Sequence, residues 1–114
     1  MQSGIYAAVF KSNNNTFGSG VAVFFNHAIH GGDAAYYYRG KCILGENQKI
    51  TGNIDVVKYS NVSNSVFGPL NSFRLLLNGV VKDNGFELSG QVEGKPQLMI
   101  TITLQKMEEL IEQD

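Results

Sequence analysis

The stretch Lys82-Asp83-Asn84-Gly85-Phe86-Glu87-Leu88-Ser89-Gly90-Gln91-Val92 decides the fold class. Phe86, Leu88, Gly90 and Val92 fall on one side of an extended chain and Glu87, Ser89 and Gln91 on the other, the period of two that a strand produces and a helix does not. Asn84-Gly85, at its start, is the clearest hairpin signal in the chain, because both residue types tolerate the backbone angles of a tight turn. Downstream, Glu93-Gly94-Lys95-Pro96 reads as a second turn, and Leu98, Ile100, Ile102 and Leu104 alternate against Thr101 and Thr103. Upstream, residues 73–82 complete a three-strand antiparallel meander.

The same punctuation runs back to the N-terminus. Glycines divide the chain into short apolar runs: Gly4-Ile5-Tyr6 opens one, Gly18 and Gly20 flank the next, and Gly31-Gly32-Asp33 breaks the third. Residues 4–11 and 18–25 are apolar on both alternating faces and are expected to pair across the polar turn Ser12-Asn13-Asn14-Asn15. Residues 26–30 read as a connector or short strand. In residues 34–44, Tyr36, Tyr38, Gly40, Cys42 and Leu44 share one face, and Tyr37, Arg39 and Lys41 the other. Residues 49–59 alternate Ile50, Gly52, Ile54 and Val56 against Thr51, Asn53 and Asp55, as a half-buried strand does.

Residues 60–69, rich in Ser and Asn, are the longest loop candidate and a cap for one end of the structure. From Gln105 the spacing of Met107, Leu110 and Ile111, with Glu108, Glu109 and Glu112 opposite, reads as a short C-terminal helix. Glycine within strands marks bulges and tight corners, which suits coiled barrel strands better than a flat sandwich. The expected fold is therefore all-β: one domain over residues 1–114, a lipocalin-like up-and-down antiparallel β-barrel of about seven or eight strands with a short C-terminal α-helix.

Composition narrows the function classes. A chain of 114 residues fits a single core. Nine Lys and Arg against ten Asp and Glu leave a formal net charge of −1, so no long-range field favours nucleic acid or an anionic membrane. Cys42 is the only cysteine, which rules out an internal disulfide and suits a reducing compartment. The absence of a long apolar stretch and of a signal-peptide pattern at Met1-Gln2-Ser3-Gly4 makes the cytoplasm the expected location.

No catalytic set converges. His27 and His30 lie at a spacing that sends them to opposite faces of a strand, so they read as solvated turn histidines and not, with Asp33, as a metal site. Tyr36-Tyr37-Tyr38 could stack bases, but Arg39 and Lys41 alone do not make the basic groove such sites need. Cys42 shares the Tyr38 and Leu44 face and has no histidine placed to activate it, so it reads as a small buried apolar group. Neither an enzyme nor a cofactor-dependent protein is expected.

The ordered frame Gly4-Ile5-Tyr6, Gly18-Ser19-Gly20, Gly31-Gly32-Asp33, Tyr38-Arg39-Gly40 and Tyr59 resembles the GrlR family of negative regulators of type III secretion, over residues 4 to about 104. The resemblance implies a lipocalin-like barrel, a homodimer, and a function exerted by binding a transcriptional activator. It also implies that the segment after Leu44 contacts the partner. There the family carries an acidic Glu-Asp-Glu-Asp loop, whereas this chain has Gly45-Glu46-Asn47-Gln48, one carboxylate in place of four. The electrostatic match to a basic activator is correspondingly reduced. A second reading is a carrier or sensor of a small apolar ligand, with Phe24, Tyr36, Tyr38, Ile54, Leu75, Leu77, Phe86 and Ile100 expected to line its cavity.

Overall fold

Alternation sorts the side chains into an inside and an outside, and ring closure then gives the inside no exit except at its two ends. The computed structural model describes residues 2–68 and 70–111. Eight strands follow in order: β1 (Gly4–Ser12), β2 (Phe17–Phe25), β3 (Ala28–Gly32), β4 (Tyr36–Leu44), β5 (Lys49–Lys58), β6 (Ser72–Lys82), β7 (Gly85–Val92) and β8 (Lys95–Glu108). Each pairs antiparallel with its chain neighbour, and β8 returns to pair with β1, closing an up-and-down barrel. This is the all-β, lipocalin-like architecture expected from the sequence, with eight strands.

The helix expected from Gln105 onward is corrected: residues 105–108 continue β8. Ala7 pairs with Gln105 and Tyr6 with Lys106, so backbone bonds to β1 outweigh the helical spacing of Met107, Leu110 and Ile111. A helix of so few residues is marginal without packing, and the free edge of β1 offers a fixed template. Residues 109–111 are not helical either. Glu112, the remaining member of the expected pattern, lies outside the described residues.

Three turns also shift by a residue or two; of Glu93-Gly94-Lys95-Pro96, Lys95 and Pro96 already belong to β8. Gly31 and Gly32 end β3, and the turn falls on residues 33–35. At the meander, β6 runs to Lys82 and pairs it with Gly85, so the turn itself is Asp83-Asn84. Gly85 serves a different need. A Cβ built there would lie 1.8 Å from the Leu104 carbonyl oxygen, so β7 can approach β8 this closely only through glycine.

The core divides along the barrel axis. At the end holding the chain terminus, Tyr6, Phe24 and Phe86 form a three-ring cluster with centroids 5.0 to 5.3 Å apart. Its members are 1 to 3% exposed. The Tyr6 hydroxyl donates to the Gln2 carbonyl at 2.7 Å. Burial pushes the Tyr6 phenol up from its ordinary value, with the Glu109 charge adding to it. This aromatic layer closes one end. The opposite end carries the β1–β2, β3–β4, β5–β6 and β7–β8 connections, and there the interior stays open.

Candidate functional site

Between the ring cluster and the aromatic side chains of the mouth, inward positions carry small or aliphatic side chains, among them Ala8, Ala22, Ile29, Val56 and Leu75, and these do not fill the barrel. A cavity of about 290 Å³ results. Its walls include Ile54, Leu75, Leu88, Ile100, Ile102 and Leu104, together with Phe10, which meets Tyr38 edge to face at 5.7 Å. Such a volume falls just under the roughly 300–1,000 Å³ range of ligand sites, which suits a small ligand.

The β5–β6 connection lines the mouth through Ser63, Asn64, Ser65 and Val66. Ser65 and Gly68 exchange backbone bonds of 3.1 and 2.9 Å, and the Lys58 ammonium donates to Asn64 Oδ1 at 3.2 Å, which ties this connection to the β5 end. Tyr36 reaches across from β4 to donate to the Leu70 carbonyl at 2.5 Å. Residues 63–66 of the Ser- and Asn-rich segment therefore border the cavity mouth, the capping position expected of that segment.

Asp33 organises the β3–β4 side of the mouth. Its Oδ1 accepts the backbone N–H groups of Ala35 and Tyr36, both at 2.9 Å, and its Oδ2 accepts the Tyr38 hydroxyl. The Tyr59 hydroxyl donates to the Asp33 carbonyl. Burial, followed by the bond to Asp33, pushes the Tyr38 phenol well above its ordinary value, so it stays a proton donor. Gly20 makes room for the pair: a Cβ there would sit 3.0 Å from the Tyr38 hydroxyl and 2.7 Å from the Gly32 carbonyl oxygen.

Of the residues expected to line a cavity, Tyr36, Tyr38, Ile54, Leu75 and Ile100 do so. Phe24, Leu77 and Phe86 are corrected. All three are buried, but Phe24 and Phe86 are consumed in the ring cluster with Tyr6, and Leu77 fills the notch over Gly90, where its Cδ2 lies 2.7 Å from the position a Cβ would take. Sequence reasoning missed Asp33, because a turn residue carries no face assignment. Parity did place Phe10 and Ala22 on definite faces, and those faces proved to be inward.

The segment Gly45, Glu46, Asn47 and Gln48 lies at the opposite end from the mouth. It is exposed, forms a 3-10 turn over Glu46–Gln48, and holds Asn47 and Gln48 at φ 58° and 62°, in the left-handed region. Gln48 borders a second depression, of about 330 Å³ and mixed lining, with Gln2, Tyr6, Leu44, Lys82 and Asp83. His27 and His30 are exposed, away from the Asp33 carboxylate's hydrogen bonds. Cys42 is fully buried, and burial pushes its thiol up to about 11. Among the described residues no group of three or more His, Cys, Asp and Glu side chains is placed to hold a metal ion.

Comparison with protein-family models gives no match, and comparison with curated proteins gives none. No helix among the described residues is long and apolar enough to cross a membrane.

Proposed function

We propose that this chain is a non-catalytic regulatory protein of the kind its GrlR-like frame implies, acting in the cytoplasm as a homodimer that binds a transcriptional activator. The observation that carries this reading is the outer face of β1 and β2. Ile5 stands opposite Val23 and Ala7 opposite Val21, and Val9, Val21 and Phe25 are each about half exposed, at 50, 51 and 48%. A contiguous apolar strip facing water marks a protein contact. The strip lies on a face of the closed sheet, so the contact is made by side chains. The exposed Gly45–Gln48 turn, at the pole away from the cavity, is the second contact surface, for the activator.

The test is affinity capture from the native cytoplasm with the wild-type chain and with Val21→Glu, combined with analytical ultracentrifugation at high micromolar concentration. Stoichiometric recovery of a DNA-binding regulator, lost with Val21→Glu or with Glu46→Lys, supports the reading. A monomeric wild-type protein that retains no regulator removes it.

The open apolar cavity favours a second reading, a carrier or sensor of a small apolar ligand. The two are compatible, since cavity mouth and Gly45–Gln48 turn occupy opposite ends of one barrel.

A further inference from the structure

The chemistry of the cavity changes from floor to mouth. Its walls are hydrocarbon, from Leu88, Ile100, Ile102 and Leu104 up to Ile54 and Leu75, and the one ionised side chain among the described lining residues is Asp33. A carboxylate offers about four lone-pair positions. Three are taken, by the N–H groups of Ala35 and Tyr36 and by the Tyr38 hydroxyl, which leaves one acceptor position on a residue of the cavity lining. Two lysines that touch lining residues are turned to other tasks: Lys58 bonds Asn64 and lies 5.9 Å over the Tyr36 ring, and Lys11 lies 5.5 Å over the Phe17 ring. Neither lines the cavity.

A ligand's apolar part gains from leaving water in proportion to the area it buries, and its polar end must find a partner or lose a hydrogen bond. A head group that donates fits the vacant acceptor on Asp33, and a positive charge adds attraction. A carboxylate head would meet a like charge with no ammonium or guanidinium in the lining to offset it.

We propose that the cavity binds a small amphiphile with a hydrogen-bond-donating head, cationic in preference to neutral, seated with its head at Asp33 and its apolar body among Ile54, Leu75 and Ile100, and that it discriminates against fatty-acid anions of the same length. This rests on the ligand-binding reading above. The chemical class is thus a short-chain alkyl or aryl amine, with the corresponding alcohol as a weaker ligand.

The test titrates the full chain with octylamine, octanol and octanoate, which share one chain and differ in head group, by calorimetry and by backbone amide shifts. The expected order is amine, alcohol, carboxylate, with the amine at least about tenfold tighter than octanoate, as one charge-assisted bond supplies. Shifts should concentrate at Ala22, Ile54 and Ile100. Asp33→Asn, which keeps an acceptor for both N–H groups of the turn but puts a donor where the vacant acceptor stood, should erase the preference for amine over octanoate and lower amine affinity more than octanol affinity. If that variant does not fold, the amine-to-octanoate ratio of the wild-type protein decides the matter alone. Octanoate binding as tightly as octylamine, with shifts in the cavity, overturns the head-group assignment and leaves an apolar site standing. No binding of any of the three, or shifts confined to the outer face of β1 and β2, overturns the ligand-binding reading itself.

Discussion

The Tyr38 hydroxyl, carried on β4, donates to the carboxylate of Asp33, five residues earlier in the chain, across the turn that follows β3. That bond joins a buried phenol to an acid which also caps the turn through two backbone N–H groups. One contact therefore fixes both the shape of the β3–β4 connection and the polar side of the cavity mouth.

Alkaline pH should weaken the fold through Tyr38. Its folded pKa is raised by burial and by Asp33, above the ordinary value of 10.0. Below that value both folded and unfolded chains hold the phenolic proton and the full stability is present. As pH rises past it, the unfolded chain releases the proton while the folded chain keeps it, and stability falls by about 1.4 kcal/mol per pH unit for this one group. Urea titrations at successive pH values above 10 should show this slope, and Tyr38→Phe should reduce it.

Tyr38→Phe should itself cost about 1.5 to 3 kcal/mol at neutral pH, the range for a hydrogen bond to a charged group. The midpoint of chemical denaturation measures it, and an unchanged midpoint would show that water replaces the hydroxyl at Asp33 without loss.

Cys42 should be unreactive in the native protein. Its side chain is fully buried and its thiol is held up to about 11, so at pH 8 little thiolate exists and none is accessible. Alkylation by iodoacetamide should be slow in buffer and prompt in denaturant. Rapid labelling of the folded chain would mean that β4 opens from the barrel.

Phe86→Ala should remove about 3 to 5 kcal/mol, because Phe86 packs against both Tyr6 and Phe24 and the closing layer would be left with a void. Denaturation midpoints at constant m-value provide the measurement. The cavity at the other end should keep its ligand preferences in this variant at temperatures where it stays folded.

Truncation after Thr103 should open the barrel. It removes Leu104, which is 3% exposed, and the pairing of Gln105 with both Ala7 and Gly85. Loss of one buried leucine alone costs about 2 to 5 kcal/mol. A thermal midpoint equal to that of the full chain would show that the β1–β8 seam adds nothing beyond residue 103.

Strand content and inward faces were legible in the sequence because alternation is local: Phe86, Leu88 and Val92 point inward by the same parity that puts Glu87 and Ser89 outside. The cap over the mouth was legible for a related reason, since residues 60–69 lack any periodic apolar pattern. The terminal segment was misread because Met107, Leu110 and Ile111 satisfy a helical spacing, and only the distant β1 edge, invisible to local pattern, draws residues 105–108 into extension. Gly85 carried a turn signal locally while its actual constraint comes from the Leu104 carbonyl across the sheet.

The sequence by itself determined an up-and-down barrel of about seven or eight strands, the inner and outer faces of its alternating strands and a near-zero net charge, all read from neighbouring residues along one chain. Tertiary structure alone decided which inward side chains fill the barrel and which line a space. Phe24 and Tyr38 have the same parity and similar size, yet Phe24 meets Tyr6 and Phe86 while Tyr38 stands against Asp33 at the mouth. The difference is set by barrel height, which follows from the register of eight pairings closed into a ring.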